Sequence, residues 1–126
     1  MLLTVHASTT IGAFREEYPL GAMPYVVAVD ENDRYVGLVL MADAHSAEVS
    51  PDKPVKELLH YREDLLLPGM AVKEAVLAFD RAEAESLPVV DSYLDRRVVG
   101  LLTEAHALRR YSAELERRRQ ELIGKG

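Results

Sequence analysis

Two regions of the chain repeat the same pattern of apolar and polar residues. Residues 25–30 (YVVAVD) align with 86–91 (SLPVVD), and residues 35–40 (YVGLVL) align with 98–103 (VVGLLT). β-Branched residues are frequent in these segments, and Asp, Asn and Arg lie between the members of each pair, as in β-hairpins. The second connection, SYLDRR, is two residues longer than the first, ENDR, which a hairpin loop tolerates. The pattern therefore predicts one hairpin-containing unit that is present twice.

A helical stretch is expected before each hairpin. The first covers residues 9–17, where Thr9 or Thr10 is placed to act as the N-cap. The second covers residues 71–84 and has apolar residues three and four positions apart, as in an amphipathic helix. This apolar stripe consists of Val72, Ala75, Val76 and Phe79.

Shorter elements complete the repeated unit. Short apolar segments at residues 2–5 and 65–67 precede the two helices, and further helices are expected after the hairpins, over residues 42–47 and from 104 to about 123. Each copy therefore has the order β-α-β-β-α. A helix over residues 55–61 is expected to join the copies, after the linker SPDKP.

These elements predict an α/β (α+β) fold with four parts. The first unit spans residues 1–54, a connecting helix and linker span 55–64, the second unit spans 65–111, and a C-terminal helical extension covers 112–126. A chain of 126 residues is long enough to bury one core or two small fused cores.

Composition excludes several classes of function. The net charge of −6 disfavours binding to a nucleic-acid backbone, and the absence of Cys excludes disulfides and thiolate metal sites. No apolar run is long enough to span a membrane, so a cytosolic location is expected for the chain itself. No catalytic nucleophile motif or phosphate loop is present, and we expect no enzymatic activity. The four histidines, His6, His45, His60 and His106, lack metal-ligand spacing and a recognisable acidic partner.

The repeated segments resemble the cystathionine β-synthase (CBS) domain family. The second copy, with SLPVVD at residues 86–91 and VVGLLT at 98–103, is the closer match, and the resemblance extends from about residue 2 to 111. It implies two β-α-β-β-α CBS modules packed as a tandem, or Bateman, pair. It also implies a flat homodimer through the modules and a regulatory task, which requires a ligand or partner that binds two states with different affinity.

A narrower resemblance concerns residues 100–119, which look like the C-terminus of bacterial CLC-type chloride channels or transporters. Those proteins carry a CBS pair on the cytoplasmic side, after their membrane helices. The resemblance implies transmembrane segments upstream of Met1, the parent's membrane domain as a partner, and a position at the inner face of the membrane. Two alternatives stay open: a soluble nucleotide sensor, free-standing or attached to a metabolic enzyme, and a purely structural dimerisation module.

The family resemblance also implies candidate ligand contacts. Adenosine ligands in the family bind near the end of the second hairpin strand, at the pattern Gly-h-h-(Ser/Thr)-x-x-(Asp/Asn). The first copy keeps the ribose-type Asp43 but has Leu40 at the hydroxyl position. The second copy keeps Thr103, suited to a phosphate, but has His106 in place of the acid. AMP, ADP or ATP is therefore a candidate ligand, although no cofactor is required.

Asp43 and Thr103 also have a purely structural interpretation. An Asp near a helix N-terminus interacts favourably with the helix dipole, and a Thr hydroxyl in that position caps the helix. We favour this interpretation, because each copy has lost one member of the pair and a lost charged hydrogen bond weakens binding by about tenfold or more.

The predicted C-terminal helix has one apolar edge and many interleaved charges. The edge consists of Leu108, Tyr111 (or Ser112), Leu115 and Leu122. Glutamates alternate with arginines on the other faces, so one interpretation is a solvated helix with i,i+4 ion pairs. The other is a helix that packs on a second module or on the parent's membrane domain, or that contacts anionic lipid. We favour packing, since the glutamates dilute a lipid-binding patch.

Overall fold

A computed structural model describes residues 2–21 and 23–124 of the chain. The predictions that concern Met1 and residues 125–126 lie outside these residues. The described elements are β1 (Thr4–His6), α1 (Ile11–Glu17), β2 (Tyr25–Val29), β3 (Tyr35–Leu40), α2 (Met41–Ala44), a 3₁₀ turn (Val55–Leu58), α3 (Val72–Ala82), β4 (Ser86–Val90), β5 (Val98–Thr103) and α4 (Glu104–Gly124). None of the helices in this part of the chain is long and apolar enough to cross a membrane.

Both predicted hairpins are present, and they are built alike. β2 and β3 pair antiparallel, with β1 added parallel to β2, and β4 and β5 form the second antiparallel pair. The register shifts once in each hairpin, after Ala28 in the first and after Val89 in the second. These two residues occupy equivalent positions of the repeat, so the repetition extends to an irregularity of the backbone.

An aspartate organises each hairpin turn. Asp30 Oδ1 accepts hydrogen bonds from the backbone N–H groups of Asn32 (2.8 Å) and Arg34 (3.0 Å). Asp91 Oδ1 accepts one from the N–H of Arg97 (2.9 Å). The bond from the Arg34 N–H is the main reason that the pKa of Asp30 lies below its usual range. The two aspartates of the repeat therefore act as turn formers.

The N-cap of α1 and the apolar stripe of α3 follow the predicted pattern. Thr10 is the N-cap of α1, and its side chain accepts from the Ala13 N–H (3.2 Å). In α3 the predicted stripe faces inward, with Phe79 fully buried.

One cluster of buried residues contains members from both units: Val27, Tyr35, Leu38, Leu65 and Val90. The two units therefore share part of one core.

Tyr35 lies at the centre of that shared cluster. It is 1% exposed, and its hydroxyl donates a hydrogen bond to the Tyr61 carbonyl of the linker at 2.5 Å. Burial raises the pKa of the Tyr35 phenol well above its usual value, so the hydroxyl stays protonated even in alkaline solution. The Tyr35 side chain thus connects the first unit to the linker.

Two short segments differ from their predictions. The apolar segment at residues 65–67 forms only an isolated parallel bridge, between Leu66 and Val89, because Pro68 has no N–H with which to extend the ladder. α2 ends at Ala44, before the predicted residue 47. The Arg15 guanidinium binds carbonyl groups at and just beyond that end. Its Nε donates to the Ala44 carbonyl (2.6 Å), and its Nη2 donates to the Ser46 carbonyl (2.7 Å).

The predicted connecting helix over residues 55–61 is wrong. Only the 3₁₀ turn forms, and the chain then runs extended beside β3. The N–H of Leu38 donates to the His60 carbonyl (2.8 Å), and the N–H of His60 donates to the Leu38 carbonyl (2.9 Å). A segment that could form local helical bonds instead pairs with a strand edge about 20 residues away. The linker therefore meets the edge of the first sheet in an isolated antiparallel bridge.

Gly37 makes this approach feasible. Its φ is +147°, and an added Cβ would lie 2.9 Å from Leu59 Cβ and 3.0 Å from the His60 carbonyl oxygen. At the equivalent position of the second unit, a Cβ on Gly100 would meet nothing closer than Val89 Cβ at 4.0 Å. β3 therefore needs glycine at this position, whereas β5 does not.

We predict that Gly37→Ala lowers the free energy of unfolding by about 2 kcal/mol or more, because the methyl group strains the backbone and displaces the linker. Gly100→Ala is the matched control, with an expected change within about 1 kcal/mol. Urea unfolding followed by circular dichroism measures both. Equal losses for the two variants would contradict the proposed role of the linker.

Candidate ligand-binding site

The structure places Asp43 beside the linker. Asp43 lies on α2, and its Oδ2 is 2.7 Å from Nε2 of His60, with both side chains partly exposed. His60 is held there by its backbone pairing with Leu38. The predicted ribose acceptor is therefore already bonded to a side chain of its own protein. Leu40, at the predicted hydroxyl position, is half-buried at the end of β3.

Thr103 lies at the end of β5, where α4 begins. Its Oγ1 accepts a hydrogen bond from the backbone N–H of His106 at 3.2 Å. This is the geometry of a helix cap, and it leaves the Thr103 O–H able to donate. His106 contributes this backbone N–H, while its side chain is exposed.

A hollow of about 340 Å³ opens between the two units beside Thr103. Its walls are mostly apolar. The first unit supplies Leu2, Leu3, Met23, Pro24, Tyr25 and Val27. The second unit supplies Ser86, Leu101 and Thr103. A space of this size and character suits a small organic molecule with one flat apolar part and a few polar groups.

A second hollow of about 380 Å³ adjoins the first. The two share Pro24, Tyr25, Ser86 and Thr103, and the second is completed by the first residues of α4 and by Glu85. Tyr25 donates its hydroxyl to Oε2 of Glu85 at 3.4 Å. Burial, with a contribution from Glu85, raises the pKa of the Tyr25 phenol. Asp43 lines neither hollow, so the structure does not bring Asp43 and Thr103 into one site.

The repeat explains why two strand-initial residues meet at the hollow. Tyr25 begins β2 and Ser86 begins β4, and these positions are equivalent in the aligned units. Sequence reasoning singled out neither residue, although the alignment of the two hairpins contained the signal. The contact between His60 and Asp43 had no such signal, because it depends on the extended path of the linker.

The two units differ in the strand edge that they leave open. In the first unit the linker pairs with β3 at Leu38, whereas within the described residues β5 pairs with β4 alone. Val99 and Leu101 of β5 are 59% and 37% exposed. Residues 2–21 and 23–124 contain no group of three or more His, Asp or Glu side chains that could hold a metal ion.

Neither a protein-family model nor a curated protein matches the chain. Solved structures do match. The cystathionine beta-synthase pair domain of a putative Mg²⁺ transporter from Shewanella oneidensis MR-1 has 22% identity and a TM-score of 0.70, over 91% of this chain and 67% of that chain. A CBS domain pair in complex with 5′-methylthioadenosine and S-adenosyl-L-methionine has 23% identity and a TM-score of 0.69, over 90% of each chain.

A third match is CBSX2 in complex with AMP, with 21% identity and a TM-score of 0.68, over 91% of this chain and 90% of that chain. The chain has the fold of a CBS domain pair. The predicted fold class is therefore confirmed. At these identities the likeness concerns the fold, and the narrower resemblance to CLC-type proteins stays a prediction.

Proposed function

We propose that the chain is a regulatory CBS domain pair that binds an adenosine-type ligand in the hollow beside Thr103. The observation that carries this proposal is that residues of both units line one hollow. A ligand that contacts both units stabilises one arrangement of the pair over another, which is the requirement for regulation by binding. The proposed task is therefore to convert ligand binding into a change in the arrangement of the two units.

The chemistry of the walls supports an adenosine group as the ligand. Met23, Pro24 and Leu101 offer apolar surface to a flat ring. Ser86 and Thr103 offer hydroxyls to its polar edge or to a ribose. Related folds have been solved with 5′-methylthioadenosine, S-adenosyl-L-methionine and AMP, which share adenosine as their common part.

Calorimetric titration with adenosine tests the site. We expect Thr103→Val to weaken binding about tenfold because it removes a hydrogen-bonding group, and Thr103→Ser to retain most of the affinity. Leu101→Trp should abolish binding by filling the hollow. Asp43→Asn is the control and should leave the affinity unchanged. Binding that is lost in Asp43→Asn and unchanged in Thr103→Val and Leu101→Trp would contradict the proposed location.

We also propose a homodimer through the exposed apolar side chains of α3 and α4. Leu77 on α3 and Leu108 on α4 are 52% and 43% exposed, and further along α4 Leu115 and Leu122 are 46% and 75% exposed. The leucines of the predicted apolar edge of α4 are therefore left exposed, while Tyr111 is half-buried. A second copy of the chain would remove these leucines from water.

Sedimentation equilibrium tests the dimer. We predict that the double variant Leu77→Glu and Leu108→Glu shifts the chain towards monomer, because each carboxylate would have to be desolvated at the interface. Leu94→Glu is the control, since Leu94 is 82% exposed and belongs to the second hairpin turn, not to either helix. A dimer that persists unchanged in the double variant would exclude this surface.

The proposed setting of the domain is the cytoplasmic side of a CLC-type chloride channel or transporter. The support is the resemblance of residues 100–119, together with the occurrence of the same fold in a putative Mg²⁺ transporter. The reading frame upstream of Met1 tests it: we expect a series of apolar segments of about 20 residues each. A stop codon directly upstream would instead favour the soluble sensor or the structural dimerisation module.

A further inference from the structure

Negative charge surrounds the polar end of the candidate site. Glu85 and Glu104 line the second hollow together with Thr103. Among the described residues that line the two hollows, none is Lys, Arg or His. A phosphate group placed here would find no cationic side chain among these described lining residues and would face two carboxylates, which repel it.

The backbone of α4 does not compensate for this charge. A helix N-terminus ordinarily binds anions through its free N–H groups. In α4 the N–H of Glu104 donates to the Glu85 carbonyl (2.9 Å), and the N–H of His106 donates to Thr103 Oγ1 (3.2 Å). Two of the first three amides are thus engaged within the protein. The Glu104 carboxylate itself complements the helix dipole.

We infer that the hollow beside Thr103 selects adenosine derivatives whose 5′ substituent carries no negative charge, and that it discriminates against AMP, ADP and ATP. This inference rests on the proposed function, since it concerns the ligand of the same site. The apolar first hollow takes the adenine ring, and the 5′ group extends towards Glu85 and Glu104. An uncharged or cationic 5′ group is tolerated at that end, whereas a phosphate is repelled.

The role of the Thr103 hydroxyl in this site therefore differs from the role expected from the sequence. A Thr hydroxyl at the start of a long helix indicates a phosphate contact when only the residue type and its position are considered. In the structure this hydroxyl accepts from its own helix, and Glu85 and Glu104 stand beside it. The remaining O–H of Thr103 can donate to a neutral oxygen, nitrogen or sulfur of the ligand.

Calorimetric titration with adenosine and with AMP tests the inference, because the two molecules differ only by the 5′ phosphate. For the unmodified chain at neutral pH and low salt we expect adenosine to bind about tenfold more tightly than AMP, or better. The double variant Glu85→Gln and Glu104→Gln should bring the two affinities within about threefold of each other. The double variant Glu16→Gln and Glu121→Gln, at exposed positions that line neither hollow, is the charge-matched control and should leave the ratio unchanged.

The outcomes separate the two proposals. If neither ligand binds, the proposed function is overturned and the inference with it. If AMP binds as tightly as adenosine, or more tightly, and Leu101→Trp abolishes both, the site stands and the charge selection is wrong. A preference for adenosine that persists unchanged in the double glutamine variant would also overturn the inference, because the selection would not come from these two carboxylates.

Discussion

The backbone pairing between Leu38 and His60 determines how the two halves of the repeat differ. Gly37 permits it, because any side chain at that position would collide with the linker. The pairing forms a single bridge at the edge of the first sheet and places the His60 ring against Asp43. One consequence is structural, since the bridge covers the edge of β3 at Leu38, and the other is functional, since the Asp43 carboxylate is engaged by the chain itself.

Within residues 2–21 and 23–124, no segment pairs with β5 as the linker pairs with β3. A Cβ added to Gly100 would meet nothing closer than Val89 Cβ at 4.0 Å, and the side chains of Val99 and Leu101 on β5 are exposed. In the described part of the chain the pair therefore has one side on which the Asp43 carboxylate is engaged and one accessible side, the hollow beside Thr103. Because residues of both units line the accessible side, occupation by a ligand is expected to act on the arrangement of the pair.

Local features of the fold were predictable from sequence, whereas long-range ones were not. β3 and β5 have the predicted bounds, because alternating β-branched segments and Asp-containing turns encode hairpins locally. The linker did not follow its local pattern, since its conformation depends on a strand edge supplied by another part of the chain. The His60 contact with Asp43 depends on that long-range pairing, whereas Glu85 lies beside Thr103 because of the local register of β4 and β5, in which Ser86 pairs with Thr103.

A crystal structure of the chain grown with adenosine would show directly whether the accessible side of the pair is the ligand site. We predict adenosine between Pro24 and Leu101, within hydrogen-bonding distance of the Thr103 hydroxyl, with the His60 and Asp43 contact intact. Adenosine bound instead at Asp43, with His60 displaced and the hollow beside Thr103 empty, would contradict it.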